Sequence, residues 1–260
     1  MNETLKTIEN RKSVRKYAGT PISEEEKNLI LHAAMRAPTA GNMMLYSIIR
    51  IEEQSLKDQL AETCDHQPFI AAAPWALLFV ADYQRFIDYY QYCGVNAQCA
   101  EKGIEPRQPA EGDLLLACCD ALIAAQTAVI AAESLGIGSC YIGDILENAD
   151  THRQMFKLPR YTLPITMVVF GRPAVEKTEN RLTPRFPEDC VVFNNEYRPL
   201  TEPEFIRMFE AGAQRSHPGL PVEEAVKVFG QNQYFRKFAA DFSWEMNRSS
   251  AEWIKTWKQG

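Results

Sequence analysis

The pattern of apolar and polar positions divides the chain into segments with helical and strand-like periods. A capping sequence begins at Ser23, and apolar residues then recur at helical spacing, which predicts a helix over 24–36. Apolar runs predict strands over 46–51, 75–82 and 165–170, and the run at 75–82 is apolar on both faces, as in a central strand. The order of helices and strands is irregular, so the pattern indicates an α+β fold.

The longest apolar segment predicts a helix over 113–135. Small residues follow each other along one side of it, at Ala117, Ala121, Ala124, Ala128 and Ala131. Burial within one subunit would account for this alanine stripe, and packing against a two-fold partner is the more specific prediction. The polar residues Asp120, Gln126 and Glu133 disfavour a membrane-spanning helix.

The remaining segments are less regular. The pattern predicts a helix over 56–64 and a short strand over 139–142 that follows a helix stop at Gly136. Three glycines and two prolines over 92–112 predict a long loop. A Pro-rich, charged extension spans 172–199, and the segment after 200 predicts helices with aromatic faces.

Composition limits the classes of function. Among 260 residues, 34 acidic and 28 basic side chains give a net charge of −6, which disfavours nucleic acid and anionic membranes as partners. The seven cysteines form no C-x-x-C pair and the four histidines are scattered, so we expect no metal site. The N-terminus lacks the apolar region of a signal peptide, and we expect a soluble, cytoplasmic protein.

Four cations nevertheless occupy the stretch NRKSVRKY, residues 10–17. In an extended segment alternate side chains point to one side, so Arg11, Ser13 and Arg15 could converge on one anion. Guanidinium groups make paired, charge-assisted hydrogen bonds with phosphate. The stretch therefore predicts a site for a small anion.

This stretch is the first of several short sequence blocks along the chain. They are RKSVRKY from Arg11, PIS from Pro21, APTAGN from Ala37, SIIRI from Ser47, AAESLGIG from Ala131, YIG from Tyr141, KLP from Lys157 and PRFP from Pro184. In type and order they resemble the FMN-dependent nitroreductase family, most closely its oxygen-insensitive NADPH nitroreductases and flavin reductases. The resemblance covers most of residues 8–200.

The resemblance implies a nitroreductase-like α+β sandwich. Its central, mostly antiparallel sheet would be flanked by helices, and two chains would form an intertwined homodimer with one FMN in each of two interface clefts. Residues 1–200 would form the FMN-binding domain. Residues 201–260 would form a helical extension packed on the same domain or on the partner subunit.

The resemblance also assigns cofactor-binding residues. Arg11, Ser13 and Arg15 would hold the FMN phosphate, with Lys12 contributing through its backbone and Arg185 as a second phosphate-binding arginine. The positions that match ring-lining residues are Pro38, Thr39, Ala40, Asn42, Gln67, Tyr141, Ile142, Gly143 and Asp144. The loop from Pro38 would come from the partner subunit, with Thr39 as its polar contact. Gln67 would hydrogen-bond the ring, and the turn over 141–144 would present backbone amides to it.

Three positions depart from the family pattern. Thr183 stands where a lysine is usual, Asp144 where a second glycine is common, and Met43–Met44 replace more polar residues. A lost cation beside the flavin would weaken stabilisation of the reduced, anionic ring.

The predicted function is FMN-dependent NAD(P)H oxidoreduction, by a two-electron ping-pong mechanism, with nitroaromatics, quinones or flavins as acceptors and NADPH or NADH as donor. Because the cofactor carries the chemistry, no catalytic side chain is required, and none is predicted. One alternative is a non-catalytic protein that stores or delivers FMN. The other is an interaction module that uses the basic patch and binds no flavin.

Overall fold

The computed structural model describes residues 1–174 and 182–259, which form two compact units. The first unit comprises Met1–Glu179 and Glu245–Gly260, and the second comprises Asn180–Trp244. Residues 175–181 of the predicted charged extension lie outside the described residues. These two units are defined by packing within the chain. The predicted division into an FMN-binding domain over 1–200 and a helical extension over 201–260 concerns cofactor binding, and it stays a prediction.

The first unit contains four strands and nine described helices. The strands are β1 Tyr46–Ile51, β2 Trp75–Asp82, β3 Gly138–Ile142 and β4 Thr162–Gly171. The helices are α1 Glu3–Asn10, α2 Glu24–Met35, α3 Gln54–Thr63, α4 Pro68–Ala71, α5 Gln84–Tyr92, α6 Val95–Glu101, α7 Glu111–Ser134, α8 Ala149–Met155 and most of α11, Asp241–Gln259. Short 3₁₀ turns cover Ala40–Asn42 and Asp144–Leu146.

The strands form one antiparallel sheet in the order β1-β2-β4-β3. Every position of β2 is buried because alternate side chains enter two cores. Trp75 and Phe79 face the core that contains α2 and α7, whereas Leu78 faces the core that contains Trp253 and Trp257 of α11. The predicted α+β class and the central position of β2 are confirmed.

Helix α7 packs its alanine stripe against its own sheet. Ala121, Ala124 and Ala128 are fully buried in the core shared with α2, β2 and β4. The prediction that a two-fold partner packs on this stripe is wrong, because the small side chains instead let the helix approach the sheet closely. Among the described residues, only α7 has the length and composition of a membrane span, and its alanine stripe is buried in the protein core.

The opposite face of α7 is apolar and exposed. Its large side chains are Leu115, Leu116, Leu122 and Ile123, which are 41–66% exposed. We call these four residues the α7 outer face.

The segment 92–112 is partly helical, so its prediction as a long loop is wrong. Helix α5 extends to Tyr92, α6 covers Val95–Glu101 and α7 begins at Glu111. Gly94 and Gly103 flank α6 with left-handed φ values of 71° and 67°. These glycines mark tight helix boundaries, which in sequence look like the glycines of a loop.

The basic N-terminal segment docks on the end of the sheet. The backbone amide of Val14 donates to the carbonyl of Ser139 in β3 at 2.9 Å. The Val14 side chain is buried against Gly138, where an added Cβ would lie 2.3 Å from Val14 Cγ2. Only glycine at position 138 leaves room for this contact.

The second unit contains α9 Glu202–Ser216, α10 Val222–Gln233 and a π-helical turn over Tyr234–Phe238. Thr201 caps α9 in a capping box with Glu204, which also pairs with Arg198. These hydrogen bonds from Arg198 and Thr201 lower the pKa of Glu204 to about 2. Phe209 packs against Phe229, joining α9 to α10.

We expect Gly138→Ala to destabilise the first unit by about 1–3 kcal/mol, because the new methyl group overpacks against Val14. Urea denaturation monitored by circular dichroism would measure the loss. Gly19→Ala, at a position with open space shortly after the basic segment, is the matched control.

The double variant Gly138→Ala/Val14→Ala should be less destabilised than the sum of the two single variants, because the clash is relieved. If the losses of stability in the two single variants added up to the loss in the double variant, the proposed contact would be contradicted.

Candidate functional site

The polar side chains of the basic segment converge as the alternating pattern predicts. Val14 is buried, whereas Ser13 and Arg15 are exposed on the other side. Arg15, Ser13 and Arg11 all act on the Cys140 thiol of β3: burial raises the pKa of this thiol, and the three polar groups oppose that rise. Arg11, Ser13 and Arg15 are therefore close together in space.

This cluster carries uncompensated positive charge. Among the described residues, neither Arg11 nor Arg15 pairs with a carboxylate, and the buried Nζ of Lys12 has no hydrogen-bond partner. A buried cation without a partner is costly, so an anion bound beside it would stabilise the cluster. Two guanidinium groups and a hydroxyl are a suitable donor set for a phosphate.

Gln67 and its helix lie next to the basic cluster. The Arg15 guanidinium is 5.5 Å from the centre of the Phe69 ring, a cation–π distance, and Phe69 belongs to α4. Gln67 is the N-cap residue of α4, and its side-chain amide donates to Asp144 Oδ2 at 2.8 Å. Asp144 lies two residues after the end of β3, so Gln67 meets the end of the predicted 141–144 turn.

The turn itself connects β3 to a 3₁₀ turn. Tyr141 is half-buried, and its hydroxyl donates to Gln126 of α7; burial raises the pKa of Tyr141 to about 12. Ile142 is buried, whereas Gly143 is exposed. The structure thus brings the basic cluster, Gln67 and the 141–144 turn together at one end of the sheet.

The loop from Pro38 is held by Asp120 of α7, which the sequence analysis did not assign to the site. One carboxylate oxygen accepts from the Ala40 amide at 2.9 Å and the other from the Leu45 amide at 3.1 Å. Asp120 is only 2% exposed. A carboxylate in the middle of a long apolar helix was the available signal, since a buried charge requires partners.

Within this loop the backbone turns sharply. Gly41, Asn42 and Met44 have left-handed φ values of 56°, 57° and 50°. The Thr39 hydroxyl accepts from the Met44 amide at 3.2 Å. The predicted contacts of Pro38, Thr39, Ala40 and Asn42 with a partner's flavin stay predictions.

Arg185 belongs to the second unit, where it is exposed. Its contact with a phosphate stays a prediction. Thr183 is exposed as well.

A second buried acid, Glu147, also escaped the sequence analysis. It is 4% exposed, and its Oε1 has no hydrogen-bond partner among the described residues. Burial, together with repulsion from Asp144, Asp65 and Glu245, raises the pKa of Glu147 to about 7. No sequence pattern distinguishes this glutamate from an exposed one.

We expect Asp120→Ala to destabilise the protein by about 1–3 kcal/mol for each backbone amide that loses its acceptor. Hydrogen exchange of the Ala40 and Leu45 amides should accelerate more than exchange elsewhere. Asp120→Asn, which keeps one acceptor oxygen, should have an intermediate effect, and Ser134→Ala at the exposed end of α7 is the control. Unchanged protection of both amides in Asp120→Ala would contradict this role.

The pKa of Glu147 predicts a pH-dependent stability. Because folding raises this pKa, the stabilisation from the protonated carboxyl is complete below about pH 4.5 and is lost as the pH rises to about 7. Glu147→Gln mimics the protonated form, so the wild-type Tm should fall relative to that of the variant between pH 5 and pH 8. Glu101→Gln, an exchange at an exposed glutamate, is the control. A Tm difference that is equal at both pH values would contradict the shift.

The sequence and the fold of this chain are both similar to those of known proteins. Residues 8–172 match the Nitroreductase family. The chain is 31% identical over 214 residues to an oxygen-insensitive NADPH nitroreductase of Salmonella typhimurium, covering 82% of each chain. It is 30% identical over 197 residues to an FMN reductase (NAD(P)H) of Bacillus subtilis, covering 76% of this chain and 75% of that one. Nitroreductase A of Vibrio parahaemolyticus superposes with a TM-score of 0.76 at 25% identity, covering 98% of each chain. The chain therefore belongs to the nitroreductase family.

Proposed function

We propose that the protein is an FMN-dependent NAD(P)H oxidoreductase that reduces nitroaromatics, quinones or flavins by a two-electron ping-pong mechanism. The observation that carries the proposal is the convergence of Arg11, Ser13 and Arg15 without a carboxylate partner among the described residues. Family membership supports the same activity, since the relatives named above are an NADPH nitroreductase and an FMN reductase.

In this proposal the basic cluster binds the FMN phosphate. Arg11 and Arg15 donate charge-assisted hydrogen bonds, the Ser13 hydroxyl donates a third, and Lys12 contributes its backbone. Arg185 is the second phosphate-binding arginine of this proposal. The phosphate would also offset the buried charge of Lys12.

The ring would lie against Gln67 and the turn formed by Tyr141, Ile142, Gly143 and Asp144. Bound FMN would supply the hydride-transfer chemistry, so the protein's own contribution is to bind, orient and shield. Nicotinamide nucleotide and acceptor would use the same cleft in turn, which is the structural requirement of a ping-pong reaction.

A homodimer would complete this cleft. The α7 outer face is an exposed apolar surface, and on α1, which contacts α7, Leu5 and Ile8 are each 50% exposed. Contiguous exposed apolar surface of this kind marks subunit interfaces. Dimerisation would bring Pro38, Thr39, Ala40 and Asn42 of one subunit to the flavin of the other.

The expected partners are therefore a second copy of the chain and small-molecule electron acceptors. The net charge of −6 supports neither a nucleic-acid nor a membrane partner, and we place the protein in the cytoplasm.

An alternative function is storage or delivery of FMN without turnover. It is favoured by Thr183, which offers no cation where related reductases usually have a lysine, and by the carboxylate of Asp144 at the predicted ring. Both features would disfavour a reduced, anionic ring.

We expect the purified protein to be yellow and its flavin absorption to be bleached by NADPH or NADH without oxygen. Flavin that stays oxidised with both nucleotides would favour the storage function instead. A colourless protein that takes up no added FMN would contradict both.

The double variant Arg11→Ala/Arg15→Ala should raise the Kd for FMN by about 100-fold or more, because it removes two charge-assisted hydrogen bonds. Fluorescence titration would measure this Kd. Lys16→Ala/Arg36→Ala removes two exposed cations outside the cluster and is the charge-matched control. Equal FMN affinity in both double variants would refute the phosphate assignment.

A further inference from the structure

The orientation of the Gln67 side chain is fixed by two acceptors. Its Nε2 donates to the Cys64 carbonyl at 2.8 Å and to Asp144 Oδ2 at 2.8 Å. A carbonyl and a carboxylate can only accept, so the nitrogen of the carboxamide must face both of them. The carbonyl oxygen Oε1 is therefore turned the other way, and among the described residues it accepts no hydrogen bond.

The backbone of Gln67 is equally constrained. Its amide donates to the Ala61 carbonyl at 2.8 Å, and its own carbonyl accepts from the Ile70 amide at 3.0 Å. The two residues before it, Asp65 and His66, have left-handed φ values of 58° and 50°, which form the tight turn between α3 and α4. The side-chain carboxamide is thus the only part of Gln67 whose direction depends on a distant residue.

That residue is Asp144, which is 77 positions away in sequence. It is the first residue of the 3₁₀ turn after β3, so its carboxylate is held by the same turn that faces the predicted ring. Without the Asp144 acceptor only the Cys64 carbonyl would hold Nε2, so the terminal torsion of Gln67 would be less constrained and could rotate to present the amide nitrogen instead.

We propose that Asp144 is a positioning residue that holds Gln67 with its carbonyl oxygen outward, so that the site selects a flavin through a ring N–H donor. This inference rests on the proposed function. The oxidised isoalloxazine ring has one N–H donor, the imide N3–H, between two carbonyl acceptors. A side chain that can only accept recognises this donor, whereas an amide that rotates freely would bind a neighbouring carbonyl equally well.

The test compares the affinities for FMN and for N3-methyl-FMN, which lacks the donor. In the wild type, methylation should raise the Kd about fivefold to tenfold, as expected for one lost hydrogen bond. In Asp144→Ala the ratio of the Kd for N3-methyl-FMN to the Kd for FMN should fall towards the ratio measured for Gln67→Ala. Asp144→Asn keeps an acceptor oxygen of the same shape, so it should restore the wild-type ratio.

If Asp144→Ala kept the wild-type ratio of the two Kd values, the positioning role would be overturned. A ratio near one in the wild type would overturn it as well. Failure of the wild type to bind FMN at all would instead overturn the proposed function, and this inference with it. The two failures are distinguishable because the first leaves FMN binding intact.

A second measurement covers the case in which Asp144→Ala does not fold. In the flavin-free wild type, both side-chain amide protons of Gln67 are hydrogen-bonded, so NMR should detect them as slowly exchanging signals that disappear in Gln67→Ala. Exchange as fast as that of exposed glutamines would overturn the assignment of Nε2 to Asp144 and Cys64.

Discussion

The contact between Val14 and Gly138 is the constraint on which the candidate site depends. Strand β3 provides a glycine where any side chain would collide with Val14, and the neighbouring backbone pair Val14–Ser139 then fixes the extended segment along the strand. Because alternate side chains of an extended segment face opposite sides, burying Val14 forces Ser13 and Arg15 outward. The outward position of Ser13 and Arg15 is thus a consequence of a packing contact made by an apolar residue.

Helix α7 links the core, the loop and the outer surface through its three faces. Its alanines lie so close to the sheet that the helix axis is fixed, and Asp120 on the buried side then reaches the amides at both ends of the loop from Pro38. The α7 outer face carries leucines and isoleucine into solvent on the same helical turns.

Charges of both signs lie near β3. Arg11 and Arg15 act on Cys140 of this strand, whereas the Asp144 carboxylate accepts a hydrogen bond from Gln67 and repels the buried Glu147. Burial raises the pKa of Glu147, and repulsion from the carboxylates of Asp144, Asp65 and Glu245 adds to the rise.

The sequence by itself determined the α+β class, the boundaries of β1 and β2, the capped start of α2 and the grouping of Arg11, Ser13 and Arg15. These features depend on local periodicity, capping and alternation, which neighbouring residues decide. Only the tertiary structure decided that the alanine stripe packs on its own sheet, that 95–101 is a helix and that Asp120, Asp144 and Glu147 act on residues far away in the chain. Periodicity shows which face of a helix is small or apolar, but it cannot show what covers that face. A buried carboxylate is likewise defined by partners whose distance along the chain no local pattern encodes.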